Sequence, residues 1–168
     1  RGPAVLSKFS ATKQGLASAA VRSSFLQAPE VVAGPIGGWT AFTNANAGIR
    51  PMWGEGRSLT WTSDGQRVQG WLLPPLEVDA TKKFPMVVSV HGGPSAAATA
   101  GWTSRWPAVL ASQGYFVFLP NPRGSYGQGE KFTQGNVKDF GHGDLRDIDR
   151  GIDAALAAAP IDPKRLGI

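Results

Sequence analysis

The sequence predicts an α/β fold: a mostly parallel sheet with helices on its faces, preceded by a β-rich segment. Three observations carry that expectation. Phe84 to Val90 and Tyr115 to Leu119 are short apolar runs rich in β-branched and aromatic residues, the pattern of strands buried on both faces. A strongly periodic helical stretch follows the second run, and Leu166-Gly167-Ile168 then reads as the start of a third buried strand. Strand, helix, strand, helix, strand in that order calls for right-handed crossovers and a parallel sheet.

The elements follow in order along the chain. From Ala4 to about Leu59, short runs are punctuated by Pro29, Gly34-Pro35 and Gly37-Gly38, with no helical period beyond two turns, which fits short strands. Leu59 to Ser63 and Gln66 to Leu73 flank Asp64-Gly65, a dipeptide suited to the positive φ angles of a type I′ turn, so a hairpin is expected there. Pro74-Pro75 stops its second strand, because proline has no N–H to donate. Trp102, Trp106, Val109 and Leu110 stand at helical spacing and predict a helix over 102–113, with Gly114 as its left-handed cap. A turn-rich loop spans Pro120 to Phe140. In the last helix Leu145, Ile148, Ile152, Ala155, Leu156 and Ala159 form one apolar stripe, and Asp144 and Asp147 sit near the N-terminal end, where the helix dipole favours anions. Pro160 ends it.

Composition narrows the function classes. The chain has 168 residues, 42% of them hydrophobic, enough for a packed core. Its net charge of +5 comes from Lys and Arg scattered singly, with only Lys82-Lys83 and Lys164-Arg165 adjacent, so no nucleic-acid partner is expected. There is no cysteine, which excludes disulfides and thiolate metal sites and leaves the compartment open. No run approaches the roughly 20 apolar residues of a membrane-crossing helix, and no membrane partner is expected. The chain begins Arg1-Gly2-Pro3 without Met, which suggests processing or trimming.

The chemistry centres on His91-Gly92-Gly93-Pro94, directly after the first buried strand. Glycines there let backbone N–H groups approach a substrate carbonyl with no Cβ in the way. Two glycines after a strand can also be a plain tight turn. The position, between the first buried strand and the first helix, is where α/β-hydrolases place the oxyanion loop, at the carboxyl end of a strand where ligands bind in such sheets.

Taken in order, the motifs resemble the prolyl oligopeptidase family of serine peptidases, in its acylaminoacyl-peptidase and dipeptidyl-aminopeptidase branches. The matching residues are Phe84-Pro85-Met86-Val87-Val88 leading into His91-Gly92-Gly93-Pro94, then Gln113-Gly114-Tyr115, Asn121-Pro122-Arg123-Gly124-Ser125 and Tyr126-Gly127-Gln128-Gly129. Phe140-Gly141 with Asp144 and Asp147 is similar to a Trp-Gly-x-x-Asp-x-x-Asp pattern, with Phe in place of Trp. Asp162 to Ile168 resembles the segment just before the family's Gly-x-Ser-x-Gly nucleophile elbow, which this sequence does not contain. Pro29-Glu30-Val31 and Thr40 to Asn44 resemble the end of the family's β-propeller. The resemblance implies two parts: 1–58, the last part of a propeller with a linker, and 59–168, the N-terminal half of an α/β-hydrolase domain.

It also implies site roles. Gly93 gives one N–H to the oxyanion, Gly92 shapes the turn, and His91 orders the loop. Trp102, just past the loop, could line a substrate cleft with Trp106, and His91 is the other candidate to contact the substrate. The Ser-Asp-His triad is expected outside the chain, so these residues alone should be inactive. No cofactor or metal is implied. His142, the other histidine, lacks a nucleophile and a carboxylate in a triad arrangement. Arg123-Gly124-Ser125-Tyr126-Gly127 imitates the elbow but has Arg where Gly is needed and follows the wrong strand, which disfavours Ser125 as nucleophile. Arg123 is expected instead in a buried bidentate ion pair with Asp144 or Asp147. The partners expected are a short peptide substrate and the remaining half of the hydrolase domain with its propeller. The alternatives are an esterase or lipase of the same fold, and a non-catalytic binding module.

Overall fold

The computed structural model describes residues 4–103 and 105–168, which form two compact units. The first holds the chain up to Pro51 and a short stretch from Ala100. It is a four-stranded antiparallel meander of β1 (Val5–Ala11), β2 (Ser18–Ser23), β3 (Glu30–Gly34) and β4 (Thr40–Ala41), paired in sequence order. Ala20 and Val32 fill its interior, and the Trp39 indole N–H donates to Ser18 Oγ at 2.8 Å.

The second unit, Met52–Thr99 with Arg105–Ile168, carries the α/β part. Trp53 bridges to Pro75, and the Gly54 N–H donates to the Pro74 carbonyl, which fastens the start of this unit to the end of its hairpin. The hairpin is β5 (Arg57–Ser63) and β6 (Gln66–Leu73), with Ser63 opposite Gln66. Asp64 and Gly65 have φ of 48° and 74°, the two positive values a type I′ turn needs.

β7 (Phe84–Val88), β8 (Phe116–Asn121) and β9 (Ile161–Gly167) complete a five-stranded sheet of order β5-β6-β8-β7-β9. β8, β7 and β9 run parallel, while the hairpin joins through an antiparallel β6–β8 ladder. β7 and β8 are the strands whose apolar runs showed little alternation, and Met86, Val117 and Phe118 are fully buried, whereas β9, expected as a third buried strand, is exposed over most of its length. β9 starts earlier than the strand expected from Leu166. Its ladder to β7 is interrupted between Ile161 and Leu166, where Asp162 accepts from the Lys164 N–H and from Arg165 Nε. This stretch is thus an irregularity inside a strand.

Among the described residues three helices accompany the sheet: α1 (Trp106–Ser112), α2 (Glu130–Thr133) and α3 (Gly143–Ala158). α1 is shorter than the helix expected over 102–113, of which Ser104 lies outside the described residues. Pro107 in its first turn sets the start, since proline suits the first helical positions, where no N–H is needed. Its end is as expected: the Gly114 N–H donates to the Ala111 carbonyl and the Tyr115 N–H to the Leu110 carbonyl, with Gly114 at φ 89°.

α3 buries Asp147, Ile148, Gly151 and Ala155 against the sheet, and Ile152 and Leu156 flank them. Leu145, read as part of the stripe, is instead 49% exposed, because the inward face is centred on Asp147. Trp61 of β5 and Phe118 of β8 meet α3 with ring centroids 5.6 Å apart, and the Trp61 indole donates to the Asp147 carbonyl at 2.8 Å. A Cβ on Gly151 would stand 2.6 Å from the Trp61 ring and 2.9 Å from the Phe118 ring. Gly151→Ala should therefore destabilise by about 1–3 kcal/mol through overpacking. That outweighs a helix-propensity gain of at most about 1 kcal/mol. The urea midpoint measures it, and a midpoint that rises would contradict this packing.

Among the described residues, no helix is long and apolar enough to cross a membrane.

Candidate active site

The parallel strands β7 and β8 end beside one another, and their following loops build the site. The segment His91 to Pro94 continues β7, and a cavity of about 170 Å³ opens against it, bordered also by Arg123, Asn136, Phe140 and Ile148. A cavity of about 680 Å³ lies at the other end of these strands, around Pro74, Phe116 and Pro160. The smaller one is the candidate site, because ligands of parallel α/β sheets bind at the carboxyl ends of strands and the 91–94 loop lies there.

Gly93 has φ 145°, and a Cβ there would stand 2.9 Å from the Ser95 nitrogen and 3.0 Å from the Ala96 nitrogen. Both are backbone atoms of the tight turn that follows, so only glycine fits. Among the described residues no acceptor takes the Gly93 N–H. Gly92, by contrast, has open space where a Cβ would go.

The end of β8 and the loop after it hold this turn at three points. First, His91 Nδ1 lies 3.0 Å from the Gly92 carbonyl, and its Nε2 lies 2.9 Å from Ser125 Oγ. A carbonyl can only accept, so in the neutral ring Nδ1 carries the proton and Nε2 accepts from the Ser125 hydroxyl. Second, the Tyr126 N–H donates to the Ala96 carbonyl at 3.0 Å. Third, Asn121 pairs with Ala98: its Oδ1 accepts the Ala98 N–H at 2.7 Å, and its Nδ2 donates to the Ala98 carbonyl at 3.0 Å and to Gln69 Oε1 at 2.8 Å.

His91 and Ser125 imitate a nucleophile–base pair, yet they lack its parts. Ser125 is 1% exposed, which leaves no approach for a carbonyl, and the far nitrogen of His91 faces a backbone carbonyl where a triad has a carboxylate. The pair is a tether between two loops.

The 121–126 loop is itself fixed by Arg123, 6% exposed. Its Nε donates to Asp147 Oδ2 at 2.9 Å, its Nη2 to Asp147 Oδ1 at 2.7 Å, and its backbone N–H to Asp147 Oδ2 at 2.8 Å. The expected bidentate pair thus forms with Asp147. Asp144 remains at the helix start, where its Oδ1 accepts the Gly141 N–H. Asp64, from the β5–β6 turn, adds a second carboxylate that Arg123, Arg146 and Arg150 all reach at 2.7–2.9 Å. Hydrogen bonds from Arg146, then Arg150 and Arg123, hold the Asp64 carboxyl down to about 2 from its usual 3.8. A carboxyl lowered on folding stabilises fully above its unfolded value and loses that contribution as pH falls toward the folded one. The melting-temperature gap between the unmodified protein and Asp64→Asn should accordingly be widest above about pH 4 and close toward pH 2. A gap independent of pH would contradict the clamp.

Trp102 is not on α1 and falls in the first unit. Its N–H donates to Ser23 Oγ at 3.3 Å within the first unit, while Trp106 opens α1 at 76% exposure. Sequence reasoning missed Asn121 and Asn136 as site residues. Asn121 lay inside a quoted motif and was the available signal; Asn136 had none. His142 lies at the N-terminal boundary of α3. Among the described residues no cluster of His, Cys, Asp and Glu could hold a metal ion.

Comparison with known proteins agrees with this architecture. Residues 102–168 match the model of the prolyl oligopeptidase family. The chain is 40% identical to dipeptidyl-peptidase 5 of Schizosaccharomyces pombe over 90 residues, covering 53% of this chain and 13% of the relative. It is 33% identical to dipeptidyl-peptidase 5 of Porphyromonas endodontalis over 132 residues, covering 76% of this chain and 19% of the relative. A solved acylaminoacyl peptidase in complex with Z-Gly-Gly-Phe-chloromethyl ketone superposes with a TM-score of 0.86 at 27% identity, covering all of this chain and 27% of that one. The chain therefore spans less than a fifth of the length of these curated relatives. The superposition supports the α/β-hydrolase fold for the sheet and its helices.

Proposed function

Since the chain belongs to the prolyl oligopeptidase family, we propose that it forms one wall of a serine peptidase site in a longer protein that hydrolyses short peptides through an acyl-enzyme. In that protein the four-stranded part ends a β-propeller with its linker, and the hydrolase domain begins at about residue 58, where β5 opens its sheet. The serine, histidine and aspartate come from outside these residues. The serine oxygen adds to the substrate carbonyl, the histidine takes the serine proton and later gives it to the leaving amine, and the aspartate orients the histidine. The Gly93 N–H receives the negative charge that develops on the carbonyl oxygen, and Gly92 shapes the turn. His91 orders the loop through Ser125 and does not carry protons.

One observation supports this most: the Gly93 N–H has no acceptor among the described residues, on a loop tethered by His91, Ala96 and Ala98 at the carboxyl end of β7. A donor held in place before reaction costs no reorganisation when charge develops. The peptide chloromethyl ketone named with the solved neighbour favours peptides as substrates.

The full-length protein distinguishes this from an esterase or a binding module. On a panel of peptidyl p-nitroanilides and fatty-acyl p-nitrophenyl esters, turnover of the anilides is expected. Turnover confined to long-chain esters would favour the esterase, and none on either set would contradict catalysis.

A further inference from the structure

We propose that the β5–β6 hairpin positions the oxyanion turn from a distance, with Gln69 and Asp64 as positioning residues that act through Asn121 and Arg123. The inference rests on the peptidase reading above and deepens it, by assigning what holds the Gly93 donor to a hairpin two strands away from β7. β8 stands between that hairpin and β7, whose end carries the 91–94 loop. Two grips nevertheless reach across.

The first is on Ala98. The Trp71 indole N–H donates to the Ala98 carbonyl at 3.1 Å, the same carbonyl that accepts from Asn121 Nδ2. Gln69 sets which way the Asn121 amide faces. Its Nε2 donates to the Gly70 carbonyl at 2.8 Å and to Ser58 Oγ at 3.1 Å. A carbonyl only accepts, so Nε2 must face it, and Oε1 is left to accept from Asn121 Nδ2 at 2.8 Å. Asn121 Oδ1 is thereby turned to the Ala98 N–H. From Ala98 the restraint reaches Gly93 through a short turn, in which the Ala96 N–H donates to the Pro94 carbonyl at 2.7 Å.

The second grip is on Arg123. Its Nη2 is shared between Asp147 Oδ1 at 2.7 Å and Asp64 Oδ2 at 2.9 Å, so a carboxylate from α3 and one from the hairpin hold the guanidinium together. Asp64 also draws Arg146 and Arg150 to the same place. Without its charge these three arginines lose the carboxylate they share, and the loop from 121 to 126 is held from the α3 side alone. That loop carries the Ser125 and Tyr126 contacts to the oxyanion turn. An oxyanion donor works by being in place before charge develops, and a misplacement of about 1 Å can cost up to roughly a hundredfold in rate.

Gln69→Leu and Asp64→Asn test this in the full-length protein, each alone and each combined with Gly93→Ala. On a peptidyl p-nitrophenyl ester each single variant should lower kcat by roughly three- to tenfold and leave KM within about twofold, because the donor meets charge that exists only in the transition state. Combined with Gly93→Ala, where the donor is already displaced, neither should cost more than about twofold further. A merely structural role would give the same fold loss with and without Gly93→Ala. That result, or single variants as fast as the unmodified protein, would overturn the proposal. Urea midpoints show whether each variant is folded under the assay conditions. Should one fail to fold, the other decides by the same criterion; should both, Trp71→Phe, which keeps a ring and removes the N–H that Ala98 accepts, is read in the same way. If the unmodified protein turns over no ester, or Gly93→Ala turns it over at full rate, the peptidase reading itself fails, a result distinct from equal losses in the two backgrounds.

Discussion

Gly93→Ala in the full-length protein should lower kcat/KM on a peptidyl p-nitroanilide by about a hundred- to a thousandfold, the usual cost of losing one oxyanion donor. The substitution acts through the backbone. A Cβ at φ 145° would press on the Ser95 and Ala96 nitrogens, so the turn must shift and the N–H with it. Gly93 is exposed and outside the sheet, so the melting temperature should barely change. Gly92→Ala is the matched control: its Cβ would meet nothing, and a loss within severalfold is expected. Equal losses at the two positions would mean that the loop tolerates or rejects side chains generally and that Gly93 has no special role.

Arg123→Ala should cost about 3–5 kcal/mol of stability, because it leaves the fully buried Asp147 carboxylate without its cation. The pair's own net contribution is smaller, since burying both charges is costly; the large effect comes from breaking it on one side. Arg123→Lys should recover little, as a point charge cannot give Asp147 two parallel hydrogen bonds from a planar fork. Activity should fall with stability, since Arg123 fixes the loop from which Asn121, Ser125 and Tyr126 hold the Gly93 turn. Urea midpoints of the two variants measure the effect, and an unshifted midpoint for Arg123→Ala would show that Asp147 finds another partner.

The sequence made the fold legible where local chemistry decides it. Asp64-Gly65 marked the hairpin because few dipeptides accept two positive φ angles, and unalternating apolar runs marked β7 and β8 because both their faces are covered. Arg123 could be read as one half of a buried pair, though spacing alone left Asp144 and Asp147 open. What escaped was decided over distance. The start of α1 depended on Pro107 more than on the spacing of Trp102 and Trp106. The irregularity in β9 depends on Asp162 capturing its neighbours' donors. The tethers that make the site, His91 to Ser125 and Ala98 to Asn121, join residues far apart in sequence, and no local pattern encodes such partners.

The most direct test of the account labels the nucleophile. A fluorophosphonate that reacts with activated serines, applied to the full-length protein and followed by peptide mass mapping, should modify one serine outside the 168 residues, and Gly93→Ala should slow the labelling. Label on Ser125 would show that its contact with His91 is a catalytic pair and not a tether, and would contradict the assignment of the 91–94 loop as the oxyanion wall of a site whose nucleophile lies elsewhere.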